Sequence, residues 1–316
     1  MPARATGQHR AAVISAEDGL IIVDPHHHLW DLGLNYYPWL VDEPVKAVFG
    51  PYEPIRRNYG IAELRAESRR HVLTKSVHIQ TDFDPGNPVG ETAWLQSVAD
   101  DPASNRMPNG IVAFCNFADP DALRILEGHA RYPNLRGIRH ILNHHTDPVL
   151  TFTDRDFLDD AAWLDNFALL QRFDLSFDLQ LYAPQMPAAA RLANRYPSTQ
   201  IILNHTGMPH DRSKEGIAAW RDGMRRLAAC DNVACKISGL GMLDHRWTVD
   251  SIRPFVLDAL SIFGTDRSMF ASNFPVDRLF SDYDAIWDAF DLLTADLSAD
   301  ERHGLFVGNA EKYYRI

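Results

Sequence analysis

The sequence predicts an α/β fold, a (β/α)8 TIM barrel, on three observations. Short apolar, β-branched runs recur eight times, amphipathic segments separate most of them, and polar or ionisable residues gather where the runs end. Strands alternating with helices build parallel βα units. Eight such units close a barrel whose chemistry sits at the carboxyl ends of its strands. The competing architecture is a doubly wound open sheet. It wants a glycine-rich phosphate turn after its first strand, and Asp24-Pro25-His26 stands there instead.

The first strand is Leu20-Ile21-Ile22-Val23, apolar in the manner of a parallel strand covered on both faces. It runs into Asp24-Pro25-His26-His27-His28-Leu29-Trp30. Strand alternation would put Asp24, His26 and His28 on one face and His27 on the other. Two imidazoles projecting together at a strand end can hold a metal ion or exchange protons with a substrate. A long aromatic loop, 31–74, follows, with Asn35-Tyr36-Tyr37-Pro38-Trp39-Leu40 near its start and a helix expected over 61–71. Such a loop on the catalytic rim either shapes a site or plugs the barrel mouth.

The remaining strands are Lys75-Ser76-Val77-His78-Ile79-Gln80, Ile111-Val112-Ala113-Phe114-Cys115 and Gly137-Ile138-Arg139-His140-Ile141-Leu142. Leu175-Ser176-Phe177-Asp178-Leu179-Gln180-Leu181, Gln200-Ile201-Ile202-Leu203-Asn204-His205, Val233-Ala234-Cys235-Lys236-Ile237-Ser238 and Ser268-Met269-Phe270-Ala271-Ser272-Asn273 complete the eight. Helical patterns fall at 91–98, 121–129, 188–195, 217–229 and 254–263.

A barrel is typically ~250 residues, so 316 residues fit one barrel domain over 20–316 behind an N-terminal tail, 1–19. The formal charge of −11 argues against an extended nucleic-acid surface, which would need a basic stripe. No window approaches ~18 consecutive apolar residues, so no membrane span is expected. The first nineteen residues lack the apolar stretch of a secretory signal. Three cysteines without a CxxC indicate neither a disulfide framework nor a thiolate metal site. The expectation is a cytoplasmic protein acting on a small molecule, with no nucleic-acid or membrane partner; a homo-oligomer is left open.

The strand ends supply the candidate site. They offer His26 and His28, then Gln80 with His78 deeper, then Arg139, then Asp178 and Gln180. His205, Lys236 with Ser238, and Asn273 with Asp277 follow. An arginine is an unusual tenant of an apolar strand unless it meets an anion or carboxylate. Singly, Lys236 reads as a snorkelling side chain, His78 as a satisfied core histidine and Asp277 as a helix cap. Together, three histidines, an arginine and carboxylates at one barrel mouth are how hydrolytic sites on this fold are assembled.

The segment 23–30, Tyr37-Pro38-Trp39-Leu40, Gly137-Ile138-Arg139 and Asn204-His205-Thr206-Gly207 also resemble known motifs, in order. So do Lys236-Ile237-Ser238-Gly239-Leu240, the segment 269–275 and the closing Gly308-Asn309-Ala310-Glu311-Lys312-Tyr313-Tyr314. They are similar to the amidohydrolase-related group of the amidohydrolase superfamily, in the branch of sugar-acid lactonases and the pyrone-dicarboxylate lactonase. The resemblance implies that His26, His28 and His205 are catalytic, and that Arg139 holds a substrate carboxylate or hydroxyls. Gln80, Trp30, Trp39, Asn273 and Lys236 are then candidates for contacting substrate. Two positions depart from the metal-dependent pattern. Gln180 stands where many members have a histidine or carbamylated lysine, and Asn273 where they have the aspartate that binds metal and takes a proton from water. A binuclear centre is therefore not expected. One zinc on His26, His28 and His205, or catalysis without metal, are equal alternatives.

The expected reaction is hydrolysis of a small lactone, from a sugar acid or from aromatic degradation, by attack of an activated water. Asn273 has no titratable group, which leaves Asp277 as the nearest carboxylate for a base. The rivals are a metal-dependent non-oxidative decarboxylase, which Asn273 counts against, and a non-catalytic barrel that binds sugar acids.

Overall fold

The computed structural model describes residues 19–316; the tail expected over 1–19 lies, apart from Gly19, outside them. Eight strands are present: β1 (Ile21–His27), β2 (Val72–Ile79), β3 (Gly110–Phe114), β4 (Leu135–Ile141), β5 (Ser176–Gln180), β6 (Ile201–Leu203), β7 (Val233–Ile237) and β8 (Ser268–Phe270). They pair in parallel in the order of the chain. The fold is the (β/α)8 barrel that the alternation of strands and helices predicts. Each strand falls within a few residues of its apolar run, because a strand buried on both faces shows itself as such a run.

The seam between β8 and β1 closes just above the strands. Phe274 bridges His27, the His28 amide donates to the Phe274 carbonyl at 2.7 Å, and the Asn273 amide donates to the His26 carbonyl at 2.8 Å. Beside the seam, β1 carries an irregularity that corrects the alternation read from sequence. Asp24 pairs with Ser76 and His27 with His78, so three steps in β1 match two in β2. That extra residue, beside a proline with no N–H to give the ladder, is a bulge. It turns Asp24 to the same side as His27, away from His26 and His28. Its carboxylate accepts from the Ser272 hydroxyl at 2.5 Å, the Ser272 amide at 3.0 Å and the Tyr283 hydroxyl at 3.1 Å. Asp24 thus ties β1 and the β8 exit to the outer helix Tyr283–Leu293.

The outer layer is helical, and its helices start where capping chemistry allows. Ser213 caps Lys214–Ala228 by accepting from the Gly216 amide. Val249–Phe263 begins five residues before Pro254, where the sequence reading put its start, because Thr248 and Ser251 form a reciprocal cap upstream. The helix expected over 61–71 ends earlier, as Ile61–Glu67, and the chain then feeds β2. The β1–β2 connection also holds the short helix Pro38–Val41 and a turn at Glu53–Ile55. Among the described residues, no helix is long and apolar enough to cross a membrane.

Candidate active site

At the carboxyl ends of the strands lies a cavity of about 200 Å³. Its polar wall includes His28, Asp82, Arg139, Gln180, His205 and Asn273, with Lys46 at the mouth; its apolar wall includes Trp39, Phe49, Tyr52, Phe152, Met208 and Met242. The aromatic loop after β1 shapes this cavity through Trp39, Phe49 and Tyr52 rather than filling it.

Three of the wall residues hang from one short piece of main chain, the exit of β2. The His28 Nδ1 donates to the Ile79 carbonyl at 2.7 Å. The Arg139 Nη2 donates to the Gln80 carbonyl, and the Trp39 Nε1 to the Thr81 carbonyl at 2.9 Å. Next in line, the Asp82 amide donates to the Gln80 Oε1 at 2.7 Å. Gln80 itself is buried behind the wall and does not line the cavity, so its contribution is to hold Arg139 and Asp82 in place. Gln180 supports Arg139 from the other side, accepting from Nη1 at 3.1 Å.

The two first-strand histidines present opposite chemistry. A carbonyl only accepts, so the contact to Ile79 puts the His28 proton on Nδ1 and leaves Nε2 as a lone pair. His26 is the reverse. Lys236 approaches its Nδ1 at 3.3 Å, and an ammonium only donates, so the His26 proton sits on Nε2. That Nε2 is buried without a protein partner, and His26 sits behind the wall rather than lining the cavity. The His26 ring lies 5.1 Å from that of His28 and 4.4 Å from that of His205. Burial pushes all three imidazoles well below their ordinary range, helped by the positive charges of Lys236 and Arg139. All three are neutral near pH 7.

Lys236 does not reach the cavity, which corrects its place among the substrate contacts. It is fully buried, pairs with Asp178 at 2.8 Å and sits 4.9 Å from the Tyr314 ring centre. The same Asp178 oxygen accepts from Tyr314 at 2.7 Å and from Asn204 at 2.9 Å. Desolvation pulls the ammonium down to about 8, against the pull of Asp178 in the other direction. It remains mostly charged at neutral pH.

His205 occupies a tight turn just past β6, in which His205, Thr206, Gly207 and Met208 all have positive φ. Trp220 braces that turn by donating to the Thr206 carbonyl at 2.8 Å, and Ser238 meets the His205 Nδ1 at 3.0 Å. Gly239 leaves the space: a Cβ there would lie 2.5 Å from that nitrogen.

Asp277 is also displaced from its expected role. Its carboxylate stands behind Asn273, accepting from the Asn273 Nδ2 at 2.8 Å, and lines a small separate void beside Gly241. Burial pushes it up to about 7. One Nδ2 hydrogen goes to Asp277, and the Asn273 carbonyl oxygen is an acceptor that can orient water but cannot take its proton. Trp30 is likewise one layer back, buried, bonded to the Arg57 carbonyl at 2.6 Å and packed edge-on against Trp39. His78 is a satisfied core histidine, taking the Leu29 amide at 3.1 Å and meeting Glu91 at 3.3 Å.

Zinc was one of two alternatives for this site. Among the described residues, no three His, Cys, Asp or Glu side chains are grouped to hold a metal ion. An ion on the His26 Nε2 would have to displace a proton that the Lys236 ammonium keeps there. The donors present do not fit a ready-made ion site.

One wall residue was not anticipated from sequence. Asp82 follows β2 in Thr81-Asp82-Phe83-Asp84-Pro85-Gly86, which reads as a turn. The rule that selected His205, an ionisable side chain just past a strand end, reaches Asp82 when applied two residues beyond Gln80.

The Amidohydrolase family matches residues 23–316. An uncharacterised protein of Sinorhizobium fredii is 48% identical over 298 residues, 94% of this chain and 99% of that protein. The L-fucono-1,5-lactonase of Burkholderia ambifaria is 30% identical over 310 residues, 93% of this chain and 95% of the lactonase. Two crystal structures of an amidohydrolase from Burkholderia multivorans align over 94% of this chain and 99% of theirs, each with a TM-score of 0.77. One holds HEPES, at 29% identity, and the other zinc, at 28%. The chain belongs to the amidohydrolase superfamily, in a family whose members include sugar-acid lactonases.

Proposed function

We propose that the protein hydrolyses a small lactone of a sugar acid. The observation that carries this reading is the opposed protonation of His26 and His28, a fixed donor beside a fixed acceptor. Ester hydrolysis needs both, one for the oxyanion of the tetrahedral intermediate and one for the attacking water. The Arg139 guanidinium at the wall supplies donors for the carbonyl oxygen, and the His26 Nε2–H, buried just behind His28 and His205, backs them from beneath the wall. The His28 Nε2 lone pair and the Asn273 carbonyl supply acceptors that orient water. Kinship with L-fucono-1,5-lactonases supports the choice of a sugar-acid lactone. Trp39, Phe49, Tyr52 and Phe152 offer the apolar faces on which a sugar ring packs.

The decarboxylase alternative wants a strand-eight aspartate and a firm metal site, and Asn273 with its neighbours offers neither. A panel of aldonolactones and muconolactones, run beside matched carboxylic acids with a pH indicator, tests the proposal. Acid release from an aldonolactone is the expected result. Carbon dioxide from an acid, with every lactone intact, would replace it with decarboxylation.

A further inference from the structure

Resting on the lactonase reading, one gap remains: a group that takes the proton of the attacking water, because burial beside the Arg139 charge opposes a positive charge on His28, which orients that water. Asn273 has no titratable atom, and Asp277 is shut behind it. We propose that Asp82 is that acceptor, the general base of the reaction.

Asp82 shares the cavity wall with His28, Arg139 and Asn273. Its neighbours along β2 hold His28 and Arg139 through the Ile79 and Gln80 carbonyls, so the base, the water acceptor and the substrate arginine share one anchor. Asp82 has φ +52, a left-handed conformation uncommon for a residue with a side chain, and the bond from its amide to the Gln80 side chain holds it there. The side chain is open to solvent from the cavity. The charged and titratable groups around it come from four directions: Arg139 on β4, His28 just past β1, Glu91 on the helix Gly90–Asp100, and Lys46 on the loop over the mouth. Although its outer edge meets solvent, the protein packed around it desolvates the carboxyl and raises it above the ordinary range, with Arg139 and Gln80 opposing. A base displaced in that direction is better matched to neutral pH.

The water oxygen bonds to the lactone carbonyl carbon while its proton passes to the Asp82 carboxylate, and the carbonyl π pair moves onto oxygen. When the intermediate collapses, the ring C–O bond breaks and the ring oxygen takes the proton from Asp82. The product is the hydroxy acid, and Asp82 is regenerated.

Asp82→Asn is the decisive variant, since asparagine also tolerates a left-handed backbone. It is expected to fold with an unchanged Tm, to lower kcat about 10²–10⁴-fold with little change in KM, and to lose the acid limb of the pH–rate profile. Asp82→Gly, which leaves room at the wall, should recover part of its rate with added formate. Wild-type lactone hydrolysis together with a full rate and intact acid limb in Asp82→Asn would overturn the proposal alone and leave His28 as the acceptor. A wild type that opens no lactone removes both the proposal and the reading beneath it.

Discussion

Arg139 is buried, yet two of its nitrogens are committed to Gln80 and Gln180 and its Nε has no partner. The guanidinium therefore keeps unused N–H groups on a fixed plane, suited to a substrate carbonyl or hydroxyls. Charge-assisted hydrogen bonds are worth roughly 1.5–3 kcal/mol, so Arg139→Met should raise KM about 10- to 100-fold in steady-state assays. Lysine should restore only part, lacking the planar fork. Loss of cooperative unfolding with an unchanged KM would make the residue structural instead. Asp277 invites a different measurement. Its folded-state value of about 7 lies above the ordinary 3.8, so folding favours its protonated form. The resulting stability is complete below about pH 4 and is lost as pH rises through 7. The buried neutral His26, His28 and His205 slope the other way, since the unfolded chain takes up their protons below about pH 6.5. Thermal melts between pH 4 and 7 should therefore show Tm rising more steeply with pH in Asp277→Asn than in the wild type. Glu91, pushed up to about 8, acts in the same direction as Asp277, so the difference in slope is the informative quantity. The same variant should keep activity within about tenfold, because an amide at 277 can still accept from Asn273.

At the scale of elements, the strand ends and the turns beyond them do separate jobs. The strands were legible because their burial on both faces produces apolar runs, and His28, Arg139 and His205 were legible as polar residues closing those runs. The β1 bulge was not legible: nothing in Val23-Asp24-Pro25-His26 states that the ladder skips a residue, and alternation alone assigned Asp24 to the wrong face. Nor were the attachments at the β2 exit, because they use carbonyls, which every residue carries. Lys236 and Asp277 were misplaced for a related reason. Sequence gives the strand a residue ends, but not how deep its side chain lies. The β6 and β7 exits also depend on each other. Gly239 has φ +63 and faces His205, so Gly239→Ala strains its own backbone and drives a methyl against the imidazole. The expected outcome is a kcat loss of tenfold or more, measured on protein whose circular dichroism matches the wild type.

For the molecule as a whole, closure at the β8–β1 seam and formation of the site are one event, since residues 24–28 and 272–274 serve both. Asp24 carries much of that seam. Asp24→Ala would leave the Ser272 and Tyr283 hydroxyls buried without their acceptor, and unsatisfied buried groups cost about 1–3 kcal/mol each. A drop of at least about 2 kcal/mol in urea unfolding is expected, with activity falling at temperatures where the variant is still folded. An intact unfolding midpoint would show that the backbone bonds of Asn273 and His28 hold the seam unaided. The Lys236 contact to His26 reaches the same scale through purification. Protein prepared with chelator is expected to retain its turnover, and recovery that requires stoichiometric zinc would overturn the assignment of the His26 proton.

The β2 exit has a consequence for how the protein can change over generations. His28, Arg139 and Trp39 are fastened to three successive carbonyls, and carbonyls survive any exchange of side chain at 79, 80 or 81. Point replacements there can retune the surroundings while the fastenings persist. An added or lost residue cannot, because it shifts the phase of the chain and turns all three carbonyls aside together. The segment is thus permissive toward spelling and intolerant toward length, and a deep indel scan should find a sharp minimum there.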